Sequence, residues 1–241
     1  MNKDMYTRNV IALTFITLSF GCLAQDHPGY LNFDTAPDGL ALLPPPPAEG
    51  SLAFSLDKEN YLTAHKVLKT PRGLQAMADA DMSVENVLHT FSPSYGQTLS
   101  VKTTPYTVKI IDALRFDAGL SSTQSTKVKY QRVRPFDYYH VQSCTPDLDN
   151  ELKKNGSYPS GHAAAGWAIA LVLSEIKPGR QPALLAQGYE YGQSRVICGV
   201  HWQSDVDAAR LLASAMIAKL HADPLFISDL EQAKKEAKDE K

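Results

Sequence analysis

Pro159-Ser-Gly-His-Ala-Ala-Ala-Gly-Trp-Ala-Ile-Ala-Leu-Val-Leu-Ser-Glu-Ile176 is the stretch on which the fold turns. Ser160 and Gly161 lead into a small-residue helix from Ala163 to Ile176, which Pro178-Gly179 breaks. Beyond it, Pro182 suits the first turn of a helix through Leu185, Tyr189 and Val196. Ala209, Leu212, Ala213, Met216 and Leu220 then form one stripe at i, i+3, i+4, i+7 spacing, the last strong helix. Before it, helical spacing starts at Asp57, carries Tyr61, Leu62, His65, Val67 and Leu68, and stops at Pro71 and Gly73. Thr104-Pro105 opens a helix holding Val108, Ile111, Leu114 and Ala118, and another runs through a basic stretch from Lys127 to end at Pro135. Strand signals amount to the short run Gln97 to Lys102, and no repeat of fixed period is present. The pattern predicts an all-α fold: one helical-bundle domain over 58–241, with an extended proline-rich N-terminal arm over 25–57. Pro44 to Pro47 must be polyproline-like, so the arm packs on the body or stays mobile. The tail from Glu231 to Lys241 reads as a frayed, solvated helix end.

Residues 1–24 belong outside the fold. Lys3 and Arg8 flank the apolar run Val10 to Phe20, and Cys22-Leu-Ala24 follows, the layout of a cleavable secretory signal. Such a run is too short to span a bilayer comfortably. Lipid attachment at Cys22 is the competing reading, but Ser19-Phe20 fits poorly before a lipidated cysteine. Cleavage after Ala24 leaves Cys144 and Cys198 as the remaining cysteines, and an even number in an exported chain predicts a disulfide between them. The alternative is two independent buried thiols.

With 241 residues, 44% hydrophobic and 21% charged, the chain is neither disordered nor a set of membrane spans. Its 24 basic and 26 acidic residues give a net charge of −2, which supplies no global field for nucleic acid or an anionic bilayer. Any anion it binds must be held by a local cluster.

Three segments offer such a cluster. In Lys127-Val-Lys-Tyr-Gln-Arg-Val-Arg134-Pro135 the spacing of seven predicts Lys127 and Arg134 on one helix face, two turns apart, with Pro135 ending the helix. Read alone, such charges are ordinary solvated surface. In Pro159-Ser160-Gly161-His162, unpaired N–H groups at a helix start can hold a phosphate-like anion, with the Ser160 hydroxyl adding a donor and Gly161 allowing close approach. Read alone, this is an N-cap serine and a core histidine. In Ser194-Arg195-Val-Ile-Cys-Gly-Val-His201-Trp-Gln-Ser-Asp205, Arg195 ends one helix and Gly199 permits a reversal. His201 and Asp205 lie four apart on the next, within bonding reach. Tyr138 and Tyr139 either stack a base or serve as ordinary packing.

Together, in this order, the segments resemble the signature of the phosphatidic acid phosphatase and vanadium haloperoxidase superfamily: Lys-x6-Arg-Pro, Pro-Ser-Gly-His, and Ser-Arg-x5-His-x3-Asp. The wording of Leu43-Pro-Pro-Pro-Pro47, Asn155-Gly-Ser-Tyr158 and Gly192 through Ala208 is similar to that of the class A bacterial non-specific acid phosphatases. The resemblance implies a periplasmic, metal-independent hydrolase of phosphate monoesters, with no cofactor, no nucleic-acid partner and no membrane association after signal cleavage. It also implies a homo-oligomer and a capacity to pass phosphate to alcohols. It makes His201 the nucleophile that becomes phosphohistidine, Asp205 its orienting carboxylate and His162 the general acid and base. Lys127, Arg134 and Arg195, with Ser160 and the Gly161 N–H, would hold the phosphoryl oxygens. The same cage serves vanadate-dependent haloperoxidases, which is the alternative activity. One departure is Ala163, where the family usually has Thr.

Overall fold

The computed structural model describes residues 29–237; the expected signal segment 1–24 lies outside them. Among the described residues the structure is all helical, with no strand. The elements are α1 (Gly39–Leu42), α2 (Leu52–His65), α3 (Pro71–Ala78), α4 (Val84–Tyr95), α5 (Pro105–Phe116), α6 (Gln124–Tyr130), α7 (Pro135–Tyr138), α8 (Asp149–Leu152), α9 (Gly161–Ile176), α10 (Gln181–Ile197), α11 (Gln203–Leu220) and α12 (Pro224–Glu236). Among the described residues, no single helix is long and apolar enough to cross a membrane.

The small-residue helix is the centre of the bundle. Ala163, Ala164, Ala165, Ala168, Ile169, Ala170, Val172, Leu173 and Ile176 of α9 are buried, and α5, α10, α11 and α12 all pack against it. Alanine on several faces lets these helices approach closely and brings the start of α9 into the interior. Five residues of π-helix, Asp117–Ser121, continue α5 and press on that start.

Four expectations are corrected. The expected arm/domain boundary at 57/58 falls inside a helix: Ser51 caps α2 by accepting from the Phe54 N–H, so helical structure begins at Leu52. The run 97–102 is bend and turn around the cap of α5, where the Thr104 hydroxyl accepts from the Ser100 N–H. The stripe on α11 is not the last strong helix. Asp223 caps α12, which buries Phe226, Asp229, Leu230 and Ala233, so half of the expected frayed tail is packed. The helix carrying Lys127 ends at Tyr130, well before Pro135.

The arm is pinned at two places. The Tyr30 and Leu31 N–H groups donate to the Asp117 carboxylate at 2.9 and 3.0 Å. Further on, Leu43 is buried against Tyr158 and Leu212, while the Tyr158 hydroxyl donates to the Pro44 carbonyl at 2.8 Å. Cys144 and Cys198 form the expected disulfide, with α-carbons 4.7 Å apart. The Cys144 N–H also donates to the Cys198 carbonyl at 3.0 Å, which stitches the 136–144 segment to the turn after α10.

Candidate active site

The three segments meet at the start of α9. Ser160 is its N-cap, and its hydroxyl oxygen accepts from the Ala163 N–H at 3.3 Å, so the hydroxyl hydrogen is not spent on the cap. The Ser160 N–H donates to the Asp205 carbonyl at 3.0 Å, which fastens this turn to α11. A β-carbon on Gly161 would strike the Gly119 carbonyl oxygen. Contact with the π-helix therefore also requires the glycine expected for anion approach. Ala163 is fully buried beside Gly192 of α10.

Lys127 and Arg134 do converge, but not along one helix face. Gln131 takes a left-handed conformation at φ 41°, capping α6, and Arg134 is extended at φ −77°, ψ 153°. Pro135 disfavours helix at the residue before it and starts α7 as a first-turn residue, so it opens a helix where it was expected to close one. Lys127 Nζ donates to the Gly156 carbonyl at 2.8 Å. Arg134 donates to the Leu152 and Val200 carbonyls at 2.9 and 3.0 Å, and its Nη1 lies 3.1 Å from His201 Nε2. Arg195, in the last turn of α10, is 3% exposed, and its Nε and Nη1 have no hydrogen-bond partner among the described residues.

His201 sits before α11, not on it. Gly199, at φ 74°, makes the reversal after α10, and Trp202 is the N-cap of α11. Asp205 is the third residue of α11. Its Oδ2 accepts from the Trp202 N–H at 2.8 Å and lies 3.4 Å from His201 Nδ1, a long contact of the kind that often tightens when substrate binds. Because a guanidinium can only donate, Arg134 fixes Nε2 of His201 as the acceptor and leaves the proton on Nδ1, facing Asp205. His162 is held the opposite way. Its Nε2 donates to the Ala80 carbonyl at 3.1 Å, so Nδ1 is the nitrogen left for chemistry.

Both rings feel the same cations. Burial first, then Arg134, Lys127 and Arg195, pushes His201 well below the ordinary imidazole range. Burial first, then Arg195, brings His162 down to about 3. Burial brings Lys127 down to about 7, and Arg134 and Arg195 to about 10. Such crowding of buried cations is costly without an anion among them, and a phosphoryl group fits that need.

Residues beyond the expected set also belong to the site. Arg132 bridges Asp205 and Asp57, and Asp79 accepts from the Ser194 hydroxyl at 2.5 Å next to Arg195. Burial raises the Asp79 carboxyl. Arg132 lies between two signature residues, but spacing gives no sign of which acids it meets. Tyr138 and Tyr139 pack with Phe54, Tyr61 and Trp202, the neighbour of His201; Tyr139 stacks on Tyr61 at 4.8 Å.

A helical bundle that gathers buried cations and two histidines at one helix start is the architecture of an anion-transfer enzyme. Residues 110–225 match the PAP2 superfamily. The chain is 50% identical over 207 residues to a non-specific acid phosphatase of Providencia stuartii, covering 86% of this chain and 84% of that one. It is 45% identical over 197 residues to a non-specific acid phosphatase of Salmonella typhimurium, with 82% and 79% covered, and 36% identical over 200 residues to an acid phosphatase of Zymomonas mobilis, with 83% and 75% covered. The chain belongs to the PAP2 superfamily, among the class A non-specific acid phosphatases, and is a phosphoric monoester hydrolase.

Proposed function

We propose that the protein is an exported acid phosphatase that hydrolyses a broad range of phosphate monoesters through a phosphohistidine on His201. The observation that carries this reading is the pairing of an Arg195 guanidinium without hydrogen-bond partners at Nε and Nη1 with an Arg134 donor aimed at His201 Nε2. A phosphoryl group entering between them takes both sets of donors and releases the Nε2 lone pair to attack phosphorus. The bond from phosphorus to the ester oxygen breaks, and His162 gives that oxygen a proton from Nδ1. Water then attacks the phosphohistidine, His162 takes its proton, and phosphate leaves. An alcohol in place of water would give transfer in place of hydrolysis.

Lys127, Arg134 and Arg195, with Ser160 and the helix-start N–H groups, would neutralise the negative charge on the phosphoryl oxygens, the role that metal ions serve in many phosphoryl-transfer enzymes. The leader pattern over 1–24 and the Cys144–Cys198 disulfide support export to an oxidising compartment, the periplasm. The test is to quench turnover of a ³²P-labelled aryl phosphate with chelator present. Label on the wild-type chain at His201, and none on His201→Ala, is expected; label retained by His201→Ala would overturn the assignment.

A further inference from the structure

A buried ion-pair network lies behind the nucleophile and ties the start of α11 to α2. Arg132 Nη1 donates to Asp205 Oδ1 at 2.5 Å and to the Ser204 hydroxyl at 2.7 Å, while Nη2 donates to Asp57 Oδ2 at 2.8 Å. Ser204 closes the circuit: its hydroxyl donates to Asp57 Oδ2 at 2.6 Å and its N–H to Asp57 Oδ1 at 2.9 Å. The side chains of Arg132, Asp57 and Asp205 are 8%, 3% and 0% exposed. The guanidinium is also walled by aromatic rings, 5.8 Å from Phe54 and 5.7 Å from Trp202.

We infer that Arg132, held by Asp57, is a positioning residue for phosphoryl transfer, orienting Asp205 and through it the His201 ring. Two features of the geometry point there. First, Arg132 occupies Oδ1 of Asp205, and this leaves Oδ2 turned toward the Trp202 N–H and His201 Nδ1. Turning the carboxylate would break the Arg132 and Trp202 bonds together, so the oxygen facing the ring is fixed before substrate arrives. Second, the charges match the chemistry. Arg132 alone would neutralise Asp205, but Asp57 supplies a second carboxylate, so the trio carries one net negative charge behind a ring that becomes positive as its Nε2 bonds to phosphorus. An acid–base pair built only to lock α2 against α11 would not need its third member to be the carboxylate of the nucleophile.

The inference rests on His201 being the nucleophile, and the experiment separates the two ideas. Arg132→Lys keeps the charge but loses the planar fork, which cannot then serve both carboxylates. Asp57→Asn keeps the Arg132–Asp205 bond and removes the balancing charge, and is the milder change. Steady-state rates on an aryl phosphate and the ¹⁵N signals of the His201 ring are measured for both variants beside the full-length wild type. In Arg132→Lys, kcat is expected to fall about tenfold or more with KM within about threefold, the mark of an interaction realised in the transition state. A smaller fall of the same kind is expected in Asp57→Asn. In Arg132→Lys the Nδ1–H signal of the ring should move from its wild-type position, because the Asp205 oxygen facing it is released, while Arg134 still keeps Nε2 unprotonated. A rise in KM at unchanged kcat would overturn the inference, as would a fall in kcat in both variants with the wild-type ring pattern intact, which is what a purely structural role gives. Wild-type protein that traps no phosphate on His201 would overturn the nucleophile assignment instead.

Discussion

Replacing Lys127 with Met tests whether this buried ammonium loses its charge above neutral pH when no anion is bound. Its Nζ keeps one backbone acceptor, Gly156, and burial and Arg134 bring its pKa down to about 7. A bound dianion favours the charged form and returns the group toward its ordinary value of about 10. At pH 6 the free enzyme is then about nine-tenths charged at this site, and at pH 8 about one-tenth. Binding of inorganic phosphate at pH 8 should therefore carry an uptake of about 0.9 proton by Lys127, and this residue alone should weaken affinity about tenfold, or about 1.4 kcal/mol, between pH 6 and pH 8. Titration calorimetry in two buffers of different ionisation enthalpy counts the protons, and subtracting the Lys127→Met result removes the ligand's own ionisation. If wild type and Lys127→Met took up equal numbers of protons at pH 8, Lys127 would already be charged in the free enzyme and the desolvation argument would fail.

His162→Ala should lose far more activity on alkyl phosphates than on activated aryl phosphates, because only a poor leaving group needs the proton; equal losses would give His162 another job. Burial and the neighbouring cations bring the pKa of His162 in the free enzyme down to about 3, and bound phosphate, being negative, must raise it. The alkaline limb of kcat should accordingly lie at higher pH than that of kcat/KM, and coincident limbs would contradict this sign. Removing Cys144 and Cys198 opens a loop whose ends lie 54 residues apart and should lower the unfolding free energy by about 4 kcal/mol, read from urea midpoints; unchanged midpoints would deny the bridge a part in stability.

The sequence made the helical bundle and the cage legible for different reasons. The small-residue run of α9 and the periodic stripe of α11 report burial directly, so their existence could be read without a partner in view. The cage residues were readable because signature spacing survives changes in local conformation. That conformation was not readable. Gln131 adopts a left-handed cap although it is not glycine, because the 155–157 loop closes on it: the Ser157 N–H donates to the Arg132 carbonyl at 2.9 Å, and a β-carbon on Gly156 would press on Gln131 and Arg132. His201 leaves the helix because Asp205 caps the N–H of Trp202, a choice made by one carboxylate and invisible to periodicity. Arg132 and Asp57 lie 75 positions apart and meet through tertiary folding alone.

The depth of the cage has a consequence for what the enzyme can tell apart. In the proposed mechanism its strong donors are Lys127, Arg134 and Arg195, each about 95% or more hidden from solvent. On that proposal, nucleotide, sugar and aryl carriers would be told apart mainly by how well they clear the entrance, and tolerance of many alcohols would come from gripping one end of the molecule so completely.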